Sequence, residues 1–238
     1  MVQRVFQQPS FWPWSDRALQ LRRKLTRNKF PNDLEYIAET ILSKVNVNIS
    51  NRFIVGIVGG PGSGKSTFAV RLQELINSKA KSDLTQIFPM DGFHRKNSEL
   101  KRSGLIFVKG APETFDLEGY TSMLNRIKLG ENLKAPTYSR EAHDVIDNAL
   151  PIEPHHKIII TEGNYLFADM EGWCEIKDII DLKIYINAAK RVCEKRLLER
   201  HMRGGKTEAE ALEKIKKVDM ENYDLIDQTK KYADKIIN

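Results

Sequence analysis

The chain has 238 residues, a formal net charge of +6 and an isoelectric point near 9.2. With 41% apolar and 29% charged residues, its composition excludes collagenous and disordered proteins. No apolar run reaches the ~18 residues of a membrane span, and residues 1–14 lack the apolar core of a secretory signal. We therefore expect a cytoplasmic protein without a membrane partner, whose two cysteines, Cys174 and Cys193, are buried and reduced.

Residues 1–50 are predicted to form an N-terminal helical extension that packs on the main domain, residues 51–238. Apolar residues at helical spacing follow the cap signal Asn32-Asp33 in this segment: Leu34, Ile37, Ile41, Leu42 and Val45.

Strand-like and helix-like stretches alternate from residue 53 onward. Buried strands are predicted at 53–58, 85–90, 157–161, 181–187 and 236–237, and helices at 65–78, 117–129, 188–203 and 207–231. The proline-punctuated stretch 135–154 is predicted to be a β-ribbon-like insert. This alternation predicts an α/β three-layer fold with a mostly parallel central sheet and helices on both faces.

A glycine-rich loop follows the first predicted strand and precedes a helix. Residues 59–66 match the pattern G-x-x-x-x-G-K-S/T, whose backbone N–H groups converge on phosphates at a helix N-terminus. We expect Lys65 to bridge the β and γ phosphates of ATP and the hydroxyl of Ser66 to bind Mg²⁺. The predicted nucleotide-binding residues are Gly59, Gly60, Pro61, Gly62, Ser63, Gly64, Lys65, Ser66 and Thr67.

Two carboxylates stand directly after apolar strands. Asp91 follows the second predicted strand and Glu162 ends the third. Ligands of open α/β sheets collect beyond the carboxyl ends of the strands, so both side chains are expected at the site. We assign Asp91 to the acceptor hydroxyl and its proton, and Glu162 to Mg²⁺. Taken alone, each carboxylate could equally be a strand-end cap or a surface carboxylate.

Four motifs in a fixed order carry a family resemblance. They are FPMDGFH at 88–94, GAPETFD at 110–116, PTYSR at 136–140 with HD at 143–144, and ITEGNYL at 160–166. From residue 53 onward the chain resembles the phosphoribulokinase, uridine kinase and pantothenate kinase superfamily of P-loop kinases. It is most similar to the pantothenate-kinase-like bacterial nucleoside or nucleotide kinases.

The resemblance implies a small-molecule kinase that moves the γ-phosphoryl group of ATP to a hydroxyl. It implies that Asp91 is the catalytic base, and it makes a homodimer unsurprising. The substrate-side positions implied with Asp91 are His94, Phe115, Tyr138, Arg140 and His143. For His94, Arg140 and His143, a role as hydrogen-bonded loop residues stays as open as substrate contact. Pantothenate-like, nucleoside-like and sugar-like acceptors all remain possible.

An arginine stripe is predicted on the helix at 188–203. Arg196, Arg200 and Arg203 recur on one face, while Val192, Cys193 and Leu197 can face the core. Gly204-Gly205 follows, which suits a closing lid at about 196–210. We expect Arg200 and Arg203 to stabilise the transferring phosphoryl group, in agreement with the family resemblance. The alternative is a solvated basic face, since residues 190–217 hold ten Lys and Arg against five Glu.

Two other classes of P-loop protein compete with a kinase. Residues 116–119 and 169–172 fit the D-x-x-G pattern of regulatory GTPases, but the N-K-x-D guanine signature is missing. The basic charge would suit a nucleic-acid-associated ATPase, yet the sequence holds no recognisable nucleic-acid-binding module. We therefore expect a small-molecule hydroxyl substrate and no nucleic-acid partner.

Overall fold

A computed structural model describes residues 31–238 of the chain. The predictions made for residues 1–30 lie outside this range, so the division at residue 50 stays a prediction. The first described element is helix α1 (Pro31–Lys44), which starts at the residue before the predicted cap signal. Its buried residues Ile37, Ala38 and Ile41 pack in one cluster with the following helix, α2 (Lys65–Ala80).

The described residues form seven strands and eight α-helices. The strands are β1 (Phe53–Val58), β2 (Thr85–Pro89), β3 (Leu133–Ser139), β4 (Asp144–Ile152), β5 (Ile158–Glu162), β6 (Leu182–Ile186) and β7 (Lys235–Ile237). The remaining helices are α3 (Asn97–Arg102), α4 (Leu117–Lys128), α5 (Ile176–Ile179), α6 (Lys190–Arg203), α7 (Glu208–Lys214) and α8 (Met220–Asp227).

The central sheet has five parallel strands in the order β2-β5-β1-β6-β7. Successive side chains of a strand point to opposite faces, so β1 supplies two separate cores. Ile54 and Val58 join a cluster that contains Tyr120 and Leu124 of α4. Val55 and Ile57 join the cluster of α1 and α2. Helices thus cover both faces, and the predicted three-layer fold is confirmed.

The predicted ribbon is the antiparallel hairpin of β3 and β4. It packs against a 3₁₀ turn, Met90–Phe93, that directly follows β2. The approach is so close at Gly92 that a Cβ there would lie 2.4 Å from the carbonyl oxygen of Pro136. Only glycine fits this contact, which fixes the hairpin beside the carboxyl end of β2.

The C-terminal segment differs from the single helix predicted at 207–231. A Thr207–Glu210 capping box starts α7, but a π turn, Ile215–Asp219, separates α7 from α8. After α8 the chain tightens into a 3₁₀ turn, Gln228–Tyr232. Four side chains in and directly after this π turn are buried. They are Ile215, Val218, Asp219 and Met220.

The sequence prediction for one of the two cysteines was wrong. Cys193 is buried as expected, but Cys174 lies exposed in the turn before α5. In the pair His155-His156, which follows Pro154, His155 is exposed, whereas His156 is only 5% exposed and its Nδ1 accepts from the backbone N–H of Glu153. Within residues 31–238, no helix has both the length and the apolar character required to cross a bilayer.

Candidate active site

The phosphate loop connects β1 to α2 at the carboxyl edge of the sheet. Gly62 has φ +78°, in the left-handed region, and a Cβ there would lie 2.8 Å from the carbonyl oxygen of Cys193. The loop is therefore packed tightly beneath α6, and a larger residue at 62 would both strain the turn and collide with the helix. Such a glycine-lined turn at a helix N-terminus fits a phosphate chain.

Lys65 is the first residue of α2 and is 8% exposed. Its Nζ donates to the carbonyl oxygen of Gly59 and to Oδ1 of Asn164, both at 2.8 Å, and to the Gly60 carbonyl oxygen at 3.3 Å. Burial lowers the pKa of Lys65, while the charges of Glu162 and Asp91 act in the opposite direction. The ammonium is thus held at the loop by groups from two strand ends.

Asn164 is a site residue that the sequence analysis did not single out. It lies in the stretch after β5, two positions beyond Glu162, and its Oδ1 accepts from the ammonium of Lys65. Its position inside the ITEGNYL motif was the available signal. The contact with Lys65 shows the role of its amide, which is to accept a hydrogen bond from the ammonium.

A hydrogen bond joins Ser66, at the start of α2, to Glu162 at the end of β5. Ser66 Oγ donates to Glu162 Oε1 at 2.8 Å, and the carboxylate is buried. Burial and the charge of Asp91 raise the pKa of Glu162, whereas Lys65, the Ser66 hydroxyl and Arg140 lower it. A hydroxyl and a carboxylate beside a phosphate loop are the oxygen donors that suit Mg²⁺, so these residues fit that ion.

Asp91 lies in the 3₁₀ turn directly after β2. In the sheet register, Pro89 at the end of β2 pairs with Glu162, which also pairs with Ile57 of β1. Three neighbouring strands therefore deliver Asp91, Glu162 and the phosphate loop to one edge. The electrostatic coupling agrees, because the charge of Asp91 raises the pKa of both Lys65 and Glu162.

The predicted acceptor residues His94, Phe115 and Tyr138 form an aromatic group beside Asp91. The His94 ring centroid lies 4.0 Å from that of Phe115 and 5.0 Å from that of Tyr138. Its Nδ1 is 2.9 Å from the carbonyl oxygen of Asp91, which can only accept, so Nδ1 carries the proton. Burial lowers the pKa of His94, so the neutral ring keeps Nε2 as an acceptor.

The hairpin contributes the other two predicted acceptor residues. Burial lowers the pKa of Arg140, and the charges of Asp91 and Glu162 oppose this effect, which locates the guanidinium near both carboxylates. His143 lies at the hairpin tip with φ +52°. Its carbonyl oxygen accepts from Lys109 Nζ at 2.9 Å, so the contact with Lys109 is made by the backbone of His143.

Two lysines that the sequence analysis did not name approach this side of the site. Lys109 Nζ lies 4.9 Å from the centroid of the Tyr138 ring, and Lys214 Nζ donates to the Lys109 carbonyl oxygen at 3.2 Å. Burial lowers the pKa of each ammonium, and each also lowers the pKa of His94. Lys214 did not stand out because it lies in a basic stretch with Lys216 and Lys217, and Lys109 lies one residue before the GAPETFD motif, outside the residues that carry the resemblance.

The three arginines of the stripe occupy different places. Arg196 Nη1 donates to the carbonyl oxygens of Gly62 and Ser63 at 3.2 and 3.0 Å, so it holds the phosphate loop from above. Arg200 lies one turn after Arg196 on the same face of α6, and its charge lowers the pKa of Lys65, so its guanidinium is within electrostatic reach of the loop lysine. Arg203 is exposed, and its Nε donates to the Glu199 carbonyl oxygen of its own helix. The structure therefore brings Arg196 and Arg200 to the loop and leaves Arg203 outside it.

A second histidine cluster lies away from this site. His155, His156 and Asp83 offer ligand atoms within 4.8 Å of one another. However, His156 Nδ1 accepts the backbone N–H of Glu153 at 2.9 Å, so Nε2 of the neutral ring bears the proton. A protonated nitrogen cannot bind a metal, so this cluster is not a ready metal site.

Comparisons with known proteins agree with this geometry. A sequence model described as Phosphoribulokinase / Uridine kinase family matches residues 54–238. The uncharacterized Escherichia coli (strain K12) protein YggC is 32% identical over 189 residues, 79% of this chain and 78% of that protein. A candidate uridine kinase of Schizosaccharomyces pombe is 33% identical over 185 residues, 74% of this chain and 79% of that protein.

Two further relatives carry names that state a substrate or a process. The pantothenate kinase of Lactococcus lactis (strain IL1403) is 37% identical over 187 residues, 78% of this chain but 58% of that longer protein. The crystal structure of a candidate fructose transport system kinase from Silicibacter sp. TM1040 superimposes with a TM-score of 0.79 and 31% identity. The superposition covers 87% of this chain and 99% of that one.

Proposed function

Since the chain belongs to the phosphoribulokinase / uridine kinase family and is a small-molecule kinase, we propose that it phosphorylates a metabolite hydroxyl with ATP and Mg²⁺. One observation carries the proposal: Lys65, the Ser66–Glu162 pair and Asp91 meet at a single edge of the sheet. This is the set of groups that phosphoryl transfer to an alcohol requires.

The phosphate loop and the residues around it would bind the phosphates of ATP. Lys65 would hold the β and γ phosphates, with Asn164 and the loop carbonyls orienting its ammonium. Ser66 and Glu162 would hold Mg²⁺, which when bound neutralises charge on the phosphates. Arg200 lies within electrostatic reach of Lys65 and would stabilise negative charge as the phosphoryl group moves. Arg203 keeps this role only as a prediction.

Asp91 would act on the acceptor. Its carboxylate would orient the hydroxyl and take its proton as the new bond forms between that oxygen and the γ phosphorus. The bond from the γ phosphorus to the bridging oxygen breaks, and that oxygen leaves on ADP. The aromatic group of His94, Phe115 and Tyr138, together with Arg140, would line the acceptor pocket.

The relatives' names suggest which acceptors to try. They include uridine kinase, pantothenate kinase and fructose transport system kinase, so nucleoside-like, pantothenate-like and sugar-like hydroxyl compounds form the test panel. A cytoplasmic location, a homodimer and the absence of membrane and nucleic-acid partners stay predictions from the sequence.

The test is turnover by the pure protein with ATP, Mg²⁺ and this panel, followed by ADP release and by phosphorus NMR of new phosphate esters. Asp91→Asn is expected to keep ATP affinity and to reduce turnover by at least ~10²-fold, because the base is lost. The matched control is Asp147→Asn, an exposed hairpin carboxylate paired with Lys96, which should leave turnover unchanged.

Two results would count against the proposal. Near-normal turnover of Asp91→Asn would remove Asp91 from the reaction. If the wild-type protein neither binds nor consumes any nucleoside triphosphate, the proposed kinase activity is wrong. Lys65→Ala is expected to weaken triphosphate binding and not only the transfer step. Comparing it with Asp91→Asn therefore separates a loss of binding from a loss of transfer.

A further inference from the structure

Asp219 is a buried carboxylate that the proposed reaction does not use. It closes the π turn between α7 and α8, and its side chain is only 9% exposed although the surrounding segment is strongly charged. A buried carboxylate is costly unless cations and donors compensate it. Single π turns inside helical segments also occur often at functional sites.

Both oxygens of Asp219 face consecutive residues in the last turn of α6. His201 Nε2 lies 2.8 Å from Asp219 Oδ2, with the His201 side chain 11% exposed. Arg200 Nη2 lies 3.9 Å from Asp219 Oδ1. The carboxylate therefore attaches the end of α6 to the π turn and gives Arg200 a counter-ion at the same point.

Arg200 stands in a cluster of positive charge. Its charge lowers the pKa of Lys65, Arg140 and Lys214, so these three cations lie within its electrostatic reach. Like charges repel more strongly where solvent is partly excluded. Without a nearby anion, the guanidinium would turn toward solvent, where 44% of its side chain already lies.

We propose that Asp219 is a positioning residue that holds Arg200 toward the phosphate loop. The inference rests on the proposed function, because Arg200 matters here through the phosphoryl group. Asp219 acts by fixing the last turn of α6 through His201 and by compensating the charge of Arg200. Arg196 needs no such support, because loop carbonyls hold it directly.

A double-mutant cycle tests this role. Asp219→Asn keeps an oxygen that can accept from His201 but removes the charge, and it should lower kcat roughly 10-fold with little change in KM for ATP. Arg200→Ala should lower kcat by at least as much. If Asp219 acts through Arg200, adding Asp219→Asn to Arg200→Ala should cost no further activity. Glu213→Gln is the control, an exposed carboxylate of α7 paired with Lys217.

A second pair of variants approaches the same carboxylate from its other partner. His201→Leu should lower kcat as Asp219→Asn does, whereas His201→Gln, whose amide can donate to Asp219, should restore most of it. Thermal unfolding of each variant shows whether the fold is kept. If Asp219→Asn does not fold, the His201 pair is compared in wild-type and Arg200→Ala backgrounds instead.

The outcomes separate the two proposals. The positioning role of Asp219 would be overturned if the losses of kcat from Asp219→Asn and Arg200→Ala multiply in the double mutant. It would also be overturned if His201→Leu and His201→Gln lose kcat equally. In either case, turnover by the wild-type protein would still support the proposed kinase activity. Absence of ADP formation by the wild-type protein, with or without an acceptor, would overturn both.

Discussion

Glu162 shows how neighbouring charges set the chemistry of one side chain. Its carboxylate is buried at the end of β5, within electrostatic reach of Asp91, and it accepts a hydrogen bond from the hydroxyl of Ser66. Burial and the charge of Asp91 raise the pKa of Glu162, and Lys65, the Ser66 hydroxyl and Arg140 only partly offset this effect. The residue proposed to hold Mg²⁺ is therefore easier to protonate than an ordinary glutamate.

This gives a prediction for the pH dependence of nucleotide binding. Because the pKa of Glu162 is raised above 4.5, its protonated form persists to higher pH, and Mg²⁺-dependent affinity for ATP should fall as pH drops through that raised pKa. Asp91→Asn removes one cause of the shift, so the loss of affinity should move to lower pH. Titration calorimetry over a pH series measures both proteins with the same nucleotide, whose own titration then cancels.

The control for this comparison is Asp147→Asn, whose binding profile should coincide with that of the wild-type protein. An unchanged profile in Asp91→Asn would show that the charge of Asp91 does not act on Glu162. Loss of nucleotide binding at every pH in Asp91→Asn would instead place Asp91 among the nucleotide ligands.

Sequence reasoning located most site residues but not their contacts. Lys65, Asp91 and Glu162 could be predicted because motif position and strand ends fix where the backbone delivers them. The contact of Asn164 with Lys65 could not be predicted, and Arg196 was named only as a member of the arginine stripe, without its contact with the loop carbonyls. No local pattern encodes such a contact.

At the scale of elements, the hairpin of β3 and β4 is what carries acceptor residues to the site. It belongs to its own two-stranded sheet and meets the core mainly at the turn after β2. The position of Tyr138 and Arg140 relative to Asp91 therefore depends on the close contact between Gly92 and Pro136.

Gly92→Ala tests that dependence. The added methyl would lie 2.4 Å from a backbone oxygen, so the hairpin must move away, and overpacking of this kind costs about 1–3 kcal/mol. We expect KM for the acceptor to rise about 10-fold and KM for ATP to stay unchanged, as measured by steady-state kinetics. Equal changes in both constants would mean that the variant disturbs the whole site and not the hairpin alone.

The C-terminal segment marks where element prediction fails. Helical periodicity at 207–231 was strong enough to predict a helix, and helical structure is what the chain adopts. Helical periodicity does not reveal the π turn. The extra residue in this turn displaces the apolar pattern along the helix, but the residue types remain those of a helix. Asp219 lies at that point, so the local exception coincides with the proposed positioning residue.

At the scale of the whole molecule, Arg52 joins segments far apart in the chain. It is 3% exposed, and its guanidinium donates to the carbonyl oxygens of Ile127, Glu131, Glu153 and His156 and to Oδ1 of Asn132. The end of α4 and the β4–β5 connection are thereby fixed to the start of β1. A basic residue before a strand gives no sequence signal for such a position, since it normally faces solvent.

Arg52→Lys should therefore destabilise the fold without touching the site. An ammonium has three donors on a point charge and cannot reproduce the planar fork, so buried carbonyl groups lose partners. We expect a loss of about 2–3 kcal/mol in the free energy of unfolding, with nucleotide affinity retained at low temperature. Urea unfolding followed by circular dichroism measures it, with the exposed Arg102→Lys as control. A stability equal to that of the control would contradict this role.

The strand order has a consequence for how the protein reaches its native state. β1 is made first, but its two neighbours, β5 and β6, follow roughly a hundred residues later in synthesis. Until they arrive, an apolar ribbon has two open edges, which is a state prone to association with other chains. Pairings this remote along the chain also close slowly. The catalytic edge is thus completed late, and nascent or truncated forms of this kinase should depend on chaperones more than their stability alone would suggest.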